Sequence, residues 1–205
     1  MKKTIFILLC LSLFISACSV KKNAKYYINL GDRNYDRGEF SNAIIYYGEA
    51  IKLDPKMDTA YYKRSLAEEY ISDHAAAMAD CNKAIEINPY NAIVYAVRAL
   101  IKYDQYDYKG SGKDCDKAIQ LDPKIEQAFF GRGSVKLNTG DIKGALKDFD
   151  KAIELNPNHP AAFFWRGMTK KKLGDKAGAL SDLTIASKMG YARANGEITE
   201  LQNDE

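Results

Sequence analysis

The sequence predicts an all-α fold, a solenoid of five stacked helix-turn-helix repeats finished by a C-terminal capping helix, and three observations carry that prediction. Pro55, Pro89, Pro123 and Pro157 stand 34 residues apart without an insertion. Other series keep the same step: Tyr27, Tyr61, Tyr95, Phe129, Phe163; Ala50, Ala84, Ala118, Ala152, Ala186; and the small residues Gly31, Ser65, Ala99, Gly133, Gly167. Within each period, apolar and small residues recur at three- and four-residue steps on both sides of a short break, the periodicity of two helix faces joined by a turn. Helices of about 13 residues are too short to persist alone in water, so stacking on the next repeat is what folds them.

The first element is a leader. Lys2 and Lys3 precede an apolar run from Ile5 to Phe14 and then Ile15-Ser16-Ala17-Cys18, the charged, apolar, small order of a secretory signal. A spanning helix needs about 20 apolar residues, roughly twice this run. Ile15-Ser16-Ala17-Cys18 resembles the lipobox of bacterial lipoproteins. That resemblance implies removal of residues 1–17, lipid attachment at Cys18, and contact with the membrane through that anchor. Ser19 after it is similar to the sorting pattern for the outer membrane, facing the periplasm. Residues 18–23 form a lipidated linker, of which Ser19 to Asn23 reach at most ~18 Å.

Five repeats follow, at 24–57, 58–91, 92–125, 126–159 and 160–193. In the first, Tyr27, Leu30, Gly31 and Asn34 share one helix face, Gly38 marks the turn, and Ala43, Tyr47, Ala50 and Ile51 share the second face. Asp54, Asn88, Asp122 and Asn156, each before a proline, are read as a turn leading into a helix start, since proline is tolerated in a first helical turn. The pattern of Tyr27, Leu30, Gly31, Ala43, Tyr47, Ala50 and Pro55 resembles the tetratricopeptide repeat family. The resemblance implies a right-handed α-α superhelix whose concave groove, lined by the first helix of each copy, binds other proteins. Departures are the absence of tryptophan at the leading aromatic of any repeat, Asn34 where the family has tyrosine, and Tyr191 where the fifth copy should have proline. The segment 191–205, with Tyr191, Ala194, Ile198 and Leu201 on one side, is the capping helix and tail that an open stack needs.

The repeats also serve as an alignment of the chain with itself. Leu30 and Tyr46 of the first copy are replaced together in the other four, by Arg64 with Asp80, Arg98 with Asp114, Arg132 with Asp148, and Arg166 with Asp182. Joint replacement at mid-helix positions of an antiparallel hairpin predicts partly buried ion pairs inside each repeat. Groove-facing positions are Ile28 and Tyr35; Tyr62, Leu66 and Tyr70; Ala96, Leu100 and Tyr103; Phe130 and Leu137; Phe164 and Met168. Such a stripe is more apolar than a solvated face, and contiguous exposed apolar surface marks interaction sites.

Composition excludes several classes. With 46% hydrophobic and 28% charged residues the 205-residue chain is of ordinary globular make-up. The net charge of +3 includes Lys2 and Lys3, which leaves no electrostatic case for nucleic acid. Gly110-Ser111-Gly112-Lys113 echoes a phosphate loop, but Asp107 stands where its first glycine is required and Asp114 where its metal-binding hydroxyl is required. Its two glycines are expected to weaken a helix. Cys81 and Cys115, equivalent in neighbouring copies, are expected to be buried small residues too far apart for a disulfide. His74 is assigned to a surface turn and His159 to a turn between repeats. No metal framework, cofactor motif or catalytic constellation emerges, and an enzyme is not expected. The expected partner is another envelope protein or a peptide segment from one, engaged in envelope assembly. A second reading, of another class, is recognition of envelope glycan or anionic lipid through Lys170, Lys171 and Lys172 with exposed tyrosines; a third is self-association through the groove.

Overall fold

A computed structural model of the chain describes residues 22–203. The expected leader 1–17 and the lipid-bearing Cys18 lie outside these residues. Eleven helices and no strand are present among the described residues. They pair as hairpins: α1 (Ala24–Asp36) with α2 (Phe40–Leu53), α3 (Asp58–Tyr70) with α4 (His74–Ile87), α5 (Ala92–Asp104) with α6 (Tyr108–Leu121), α7 (Glu126–Thr139) with α8 (Ile142–Leu155), and α9 (Pro160–Lys172) with α10 (Lys176–Lys188). The chain closes on α11 (Ala194–Asn203). Each hairpin packs on the next, and the first helices of neighbouring repeats also touch one another, as α3 with α5, α5 with α7 and α7 with α9. Closer approach on the first-helix side makes that the inner wall of an all-α solenoid.

Local chemistry explains the turns. Inside the hairpins the backbone enters the left-handed region once per period, at Gly38, Ser72, Tyr106, Gly140 and Gly174. Glycine adopts this conformation freely, whereas Ser72 and Tyr106 hold it at φ 62° against their own side chains. The second helices of repeats 2 to 5 begin at an aspartate whose carboxylate accepts a backbone N–H three residues on, as Asp107 accepts from Gly110 at 2.9 Å. Gly110 thus belongs to a helix cap: a Cβ there would lie 2.0 Å from the Asp107 carboxylate. The expectation that this glycine merely weakens its helix is corrected accordingly, and no strand precedes it as a phosphate loop requires. The repeat prolines also differ from expectation. Asp54, Asn88, Asp122 and Asn156 end the second helices, their side chains accept the N–H two residues on, and each proline stands in that turn rather than in a helical first turn. Only Pro160 occupies a first helical turn.

The core is periodic. Tyr47, Cys81, Cys115, Phe149 and Leu183 occupy one equivalent position and are all buried, as are the alanines from Ala50 to Ala186. Small residues on the facing helix make room for the rings: a Cβ on Gly133 would come within 2.9 Å of Phe149. Both described cysteines are free and buried.

Candidate functional site

The inner wall is held in place by an arginine ladder. Arg64, Arg98, Arg132 and Arg166 each donate two hydrogen bonds to the aspartate sixteen residues on, at 2.6 and 2.8 Å for Arg64–Asp80 and 2.9 and 2.7 Å for Arg132–Asp148. Each guanidinium also lies over the leading aromatic of its own repeat, 5.4 to 6.0 Å from the ring centroid. Three reach back to the preceding repeat: Arg98 to Asn82, Arg132 to Asp116 and Arg166 to Asp150. Arg64 meets Gly48 at the corresponding place. The aspartates are buried and the arginines half-buried, so removal of one partner would strand a charge, at about 3 to 5 kcal/mol. Hydrogen bonding to the aspartates raises the pKa of every one of these arginines, which stay charged. Lys102, Lys136 and Lys170 add a second cation to Asp114, Asp148 and Asp182, at 2.6, 2.8 and 2.8 Å. These arginines are framework and not a phosphate site.

Between α3, α5 and α7 the wall opens into a cavity of about 490 Å³. Its walls include Leu66, Ile93, Leu100, Tyr103 and Phe130, with Gly131 and Ser134 on the α7 side. Ile93 and Leu100 are each 46% exposed. Small side chains open it: Ala96 lines the cavity at the position that Ile28, Tyr62, Phe130 and Phe164 fill in the other repeats. Gly131 and Ser134 likewise stand where the fifth repeat has Trp165 and Met168. The lining is mainly apolar, with Asp104 at the end near the hairpin turn, and Asp122 and Lys124 at the other.

The stripe expected from the sequence divides into three parts. Leu66, Leu100, Tyr103 and Phe130 line the cavity, and Tyr62 and Leu137 are half-buried in the wall beside them. Tyr35 and Tyr70 join Phe40 at the turn edge, where Phe40 and Tyr70 stack at 4.3 Å and Tyr35 meets both rings edge-on. Burial and the Tyr70 hydroxyl raise the Tyr35 pKa. Ile28 and Phe164 are corrections, because both are buried and line no groove. Ile28 lies in a cluster with Ala60 and Ala67 of the next repeat, and Phe164 packs with Tyr191 at 4.9 Å beneath Arg193 at 5.4 Å. Met168 is half-buried against the cluster that includes Leu201 of α11. The capping segment thus covers the groove at the fifth repeat.

The basic run is largely engaged: Lys170 pairs with Asp182, and Lys171 with Glu197 and Glu200 of α11 at 2.9 and 3.1 Å. His159 bonds Glu126 and packs on Phe130 at 4.7 Å, bracing that ring from behind. Near the hairpin turn, the His74 ring meets Glu69 at 2.9 Å, and the Glu69 carboxylate lies near Asp104. Burial, with Glu69 beside it, raises the Asp104 pKa. Sequence reasoning missed Ile93, Asp104, Lys124, Gly131 and Ser134 as lining residues; the available signal was Ala96, the one small member of its series.

Models described as tetratricopeptide repeat match residues 24–57, 58–91, 126–159 and 149–181, more than half of the chain. No curated protein matches it in sequence. Among solved structures, a thermophilic TPR protein of Thermus thermophilus is similar at TM-score 0.76 and 15% identity, over 87% of this chain and 98% of that one. PilF of Pseudomonas aeruginosa is similar at TM-score 0.75 and 21% identity, over 88% and 87%. YrrB, described as a TPR protein with an unusual peptide-binding site, is similar at TM-score 0.57 and 24% identity, over 83% and 88%. At these identities the likeness is one of fold.

Proposed function

The chain belongs to the tetratricopeptide repeat family, and we propose that it is a non-enzymatic scaffold that captures a segment of another protein in the cavity between α3, α5 and α7. The observation that carries this reading is an apolar hollow placed on the inner wall, where Ala96 stands at the position that Tyr62 and Phe130 fill in the flanking repeats. Open apolar volume of several hundred Å³ is the size class of ligand sites. The peptide-binding site named for YrrB, a protein of similar fold, supports the same reading. The partner is an envelope protein in this proposal, with the scaffold lipid-anchored through Cys18 at the outer membrane and facing the periplasm. Lys170 and Lys171 face carboxylates of their own chain, which argues against anionic glycan or lipid as the main ligand.

Ala96→Phe tests the proposal directly. Phenylalanine occurs at the same position in the fourth and fifth repeats, so the variant should fold while its ring fills the hollow. A photocrosslinker at Gln127, on the exposed rim, should capture a protein chain in cells expressing the parent, and that product should vanish in Ala96→Phe. A product that survives the substitution unchanged would remove the cavity from the account.

A further inference from the structure

The cavity is apolar along its length but carries an exposed carboxylate at one end, and we infer that its occupant is an amphipathic helix with a lysine or arginine one turn beyond its apolar anchors, seated so that this cation meets Asp104. The inference rests on the protein-binding reading above and names the partner's chemistry. Ile93 and Asp104 both line the hollow and stand eleven residues apart on α5, so the site runs for about 16 Å. An incoming helix with apolar residues at i, i+4 and i+7 covers roughly 10 Å of that, and a base at i+11 falls at the Asp104 end. An extended segment fits less well. The walls are helices whose backbone groups bond internally, so they offer no edge to a strand, whereas a helix satisfies its own backbone.

Charge complementarity fixes the sign. At the Ile93 end Asp122 and Lys124 offset each other. At the other end Asp104 is exposed, and the Glu69 carboxylate stands nearby, held by His74. The cation that acts on Asp104 is His74, which is itself bonded to Glu69, and the lysines of the neighbouring helices are paired elsewhere, Lys63 with Asp32, Lys102 with Asp114 and Lys136 with Asp148. Asp73 also lies near His74 and adds negative potential. Burial, and then the Glu69 carboxylate nearby, raises the Asp104 pKa, and a partner's cation at Asp104 offsets both by favouring its charged form.

Three synthetic 18-residue helices test the inference, each with leucine at i, i+4 and i+7 and with Lys, Gln or Glu at i+11, titrated against the full chain by fluorescence anisotropy. The Lys peptide should bind the parent about tenfold tighter than the Gln peptide, and the margin should shrink at high salt. Asp104→Asn, which installs the residue found at the equivalent Asn138, should erase the margin, and Asp104→Lys should transfer the preference to the Glu peptide. Equal affinity of all three peptides for the parent, each lost in Ala96→Phe, would overturn the charge inference and leave the groove reading standing. Failure of every peptide to bind, or binding untouched by Ala96→Phe, would overturn the groove reading itself. A parent chain that is dimeric by light scattering, with peptides failing to dissociate it, would assign the groove to a second copy and overturn the inference.

Discussion

Glu68 is the residue at which the repeat pattern is broken to chemical effect. Its counterparts Lys102, Lys136 and Lys170 each neutralise the aspartate of their own repeat, but Glu68 brings a second carboxylate to Asp80. Arg64 reaches it only at 3.5 Å, and one of its oxygens is buried without a hydrogen-bond partner. Burial, then the Asp80 charge, pushes the Glu68 pKa up from 4.5 to about 7. A carboxyl held above its unfolded value is protonated in the native state while the unfolded chain ionises, so stability is lost as pH rises from about 4.5 to about 7 and is level beyond. Glu68→Gln should therefore melt higher than the parent at pH 8, with the difference shrinking towards pH 5 in scanning calorimetry. Glu68→Lys should go further, since it restores the triad of the other three repeats. A parent whose melting temperature does not fall between pH 5 and pH 8 would show that Glu68 is relieved in some other way.

At the scale of elements, α11 does the work of a missing sixth repeat. It buries Ala194 and Leu201 against α9 and α10, covers Phe164 and Met168, and binds Lys171 through Glu197 and Glu200. Truncation after Gly190, which removes Tyr191, Arg193 and α11 together, should lower the melting temperature by several degrees and raise binding of a hydrophobic dye, because rings on α9 then face water. Unchanged melting would mean that α9 and α10 need no cover. The same element shows why part of the site was hard to read from sequence. Positions 28 and 164 follow the groove series in pattern, but each also faces whatever packs across it, and periodicity records a face without recording its occupant. Ion pairs were legible for the opposite reason: both partners sit inside one hairpin, and Arg64/Asp80 to Arg166/Asp182 change together against Leu30/Tyr46. The cavity was encoded too, as a missing side chain at Ala96, which only comparison of the repeats with one another makes visible.

As a whole the molecule is a one-dimensional array, and its stability should vary along its length. The first repeat has no arginine–aspartate pair, and its second helix begins at Glu39 without a side-chain cap. From α5 to α8, both hairpins have the pair, the cap and the reach-back to a preceding repeat. Amide hydrogen exchange followed by mass spectrometry should show slowest exchange in peptides from α5 to α8 and faster exchange in α1 and α2. Uniform protection along the chain would indicate a single cooperative unit in which these local differences carry no weight.

Cys81 and Cys115 take the core place that an aromatic or leucine fills in the other three repeats, and burial raises their thiols to about 11 and about 12. Thiolate, the species that attacks disulfides, is thus scarce on both at neutral pH. Even in an oxidising compartment the folded array should keep two unpaired sulfurs without cross-linking to its neighbours, and alkylating reagents should label them only after denaturation.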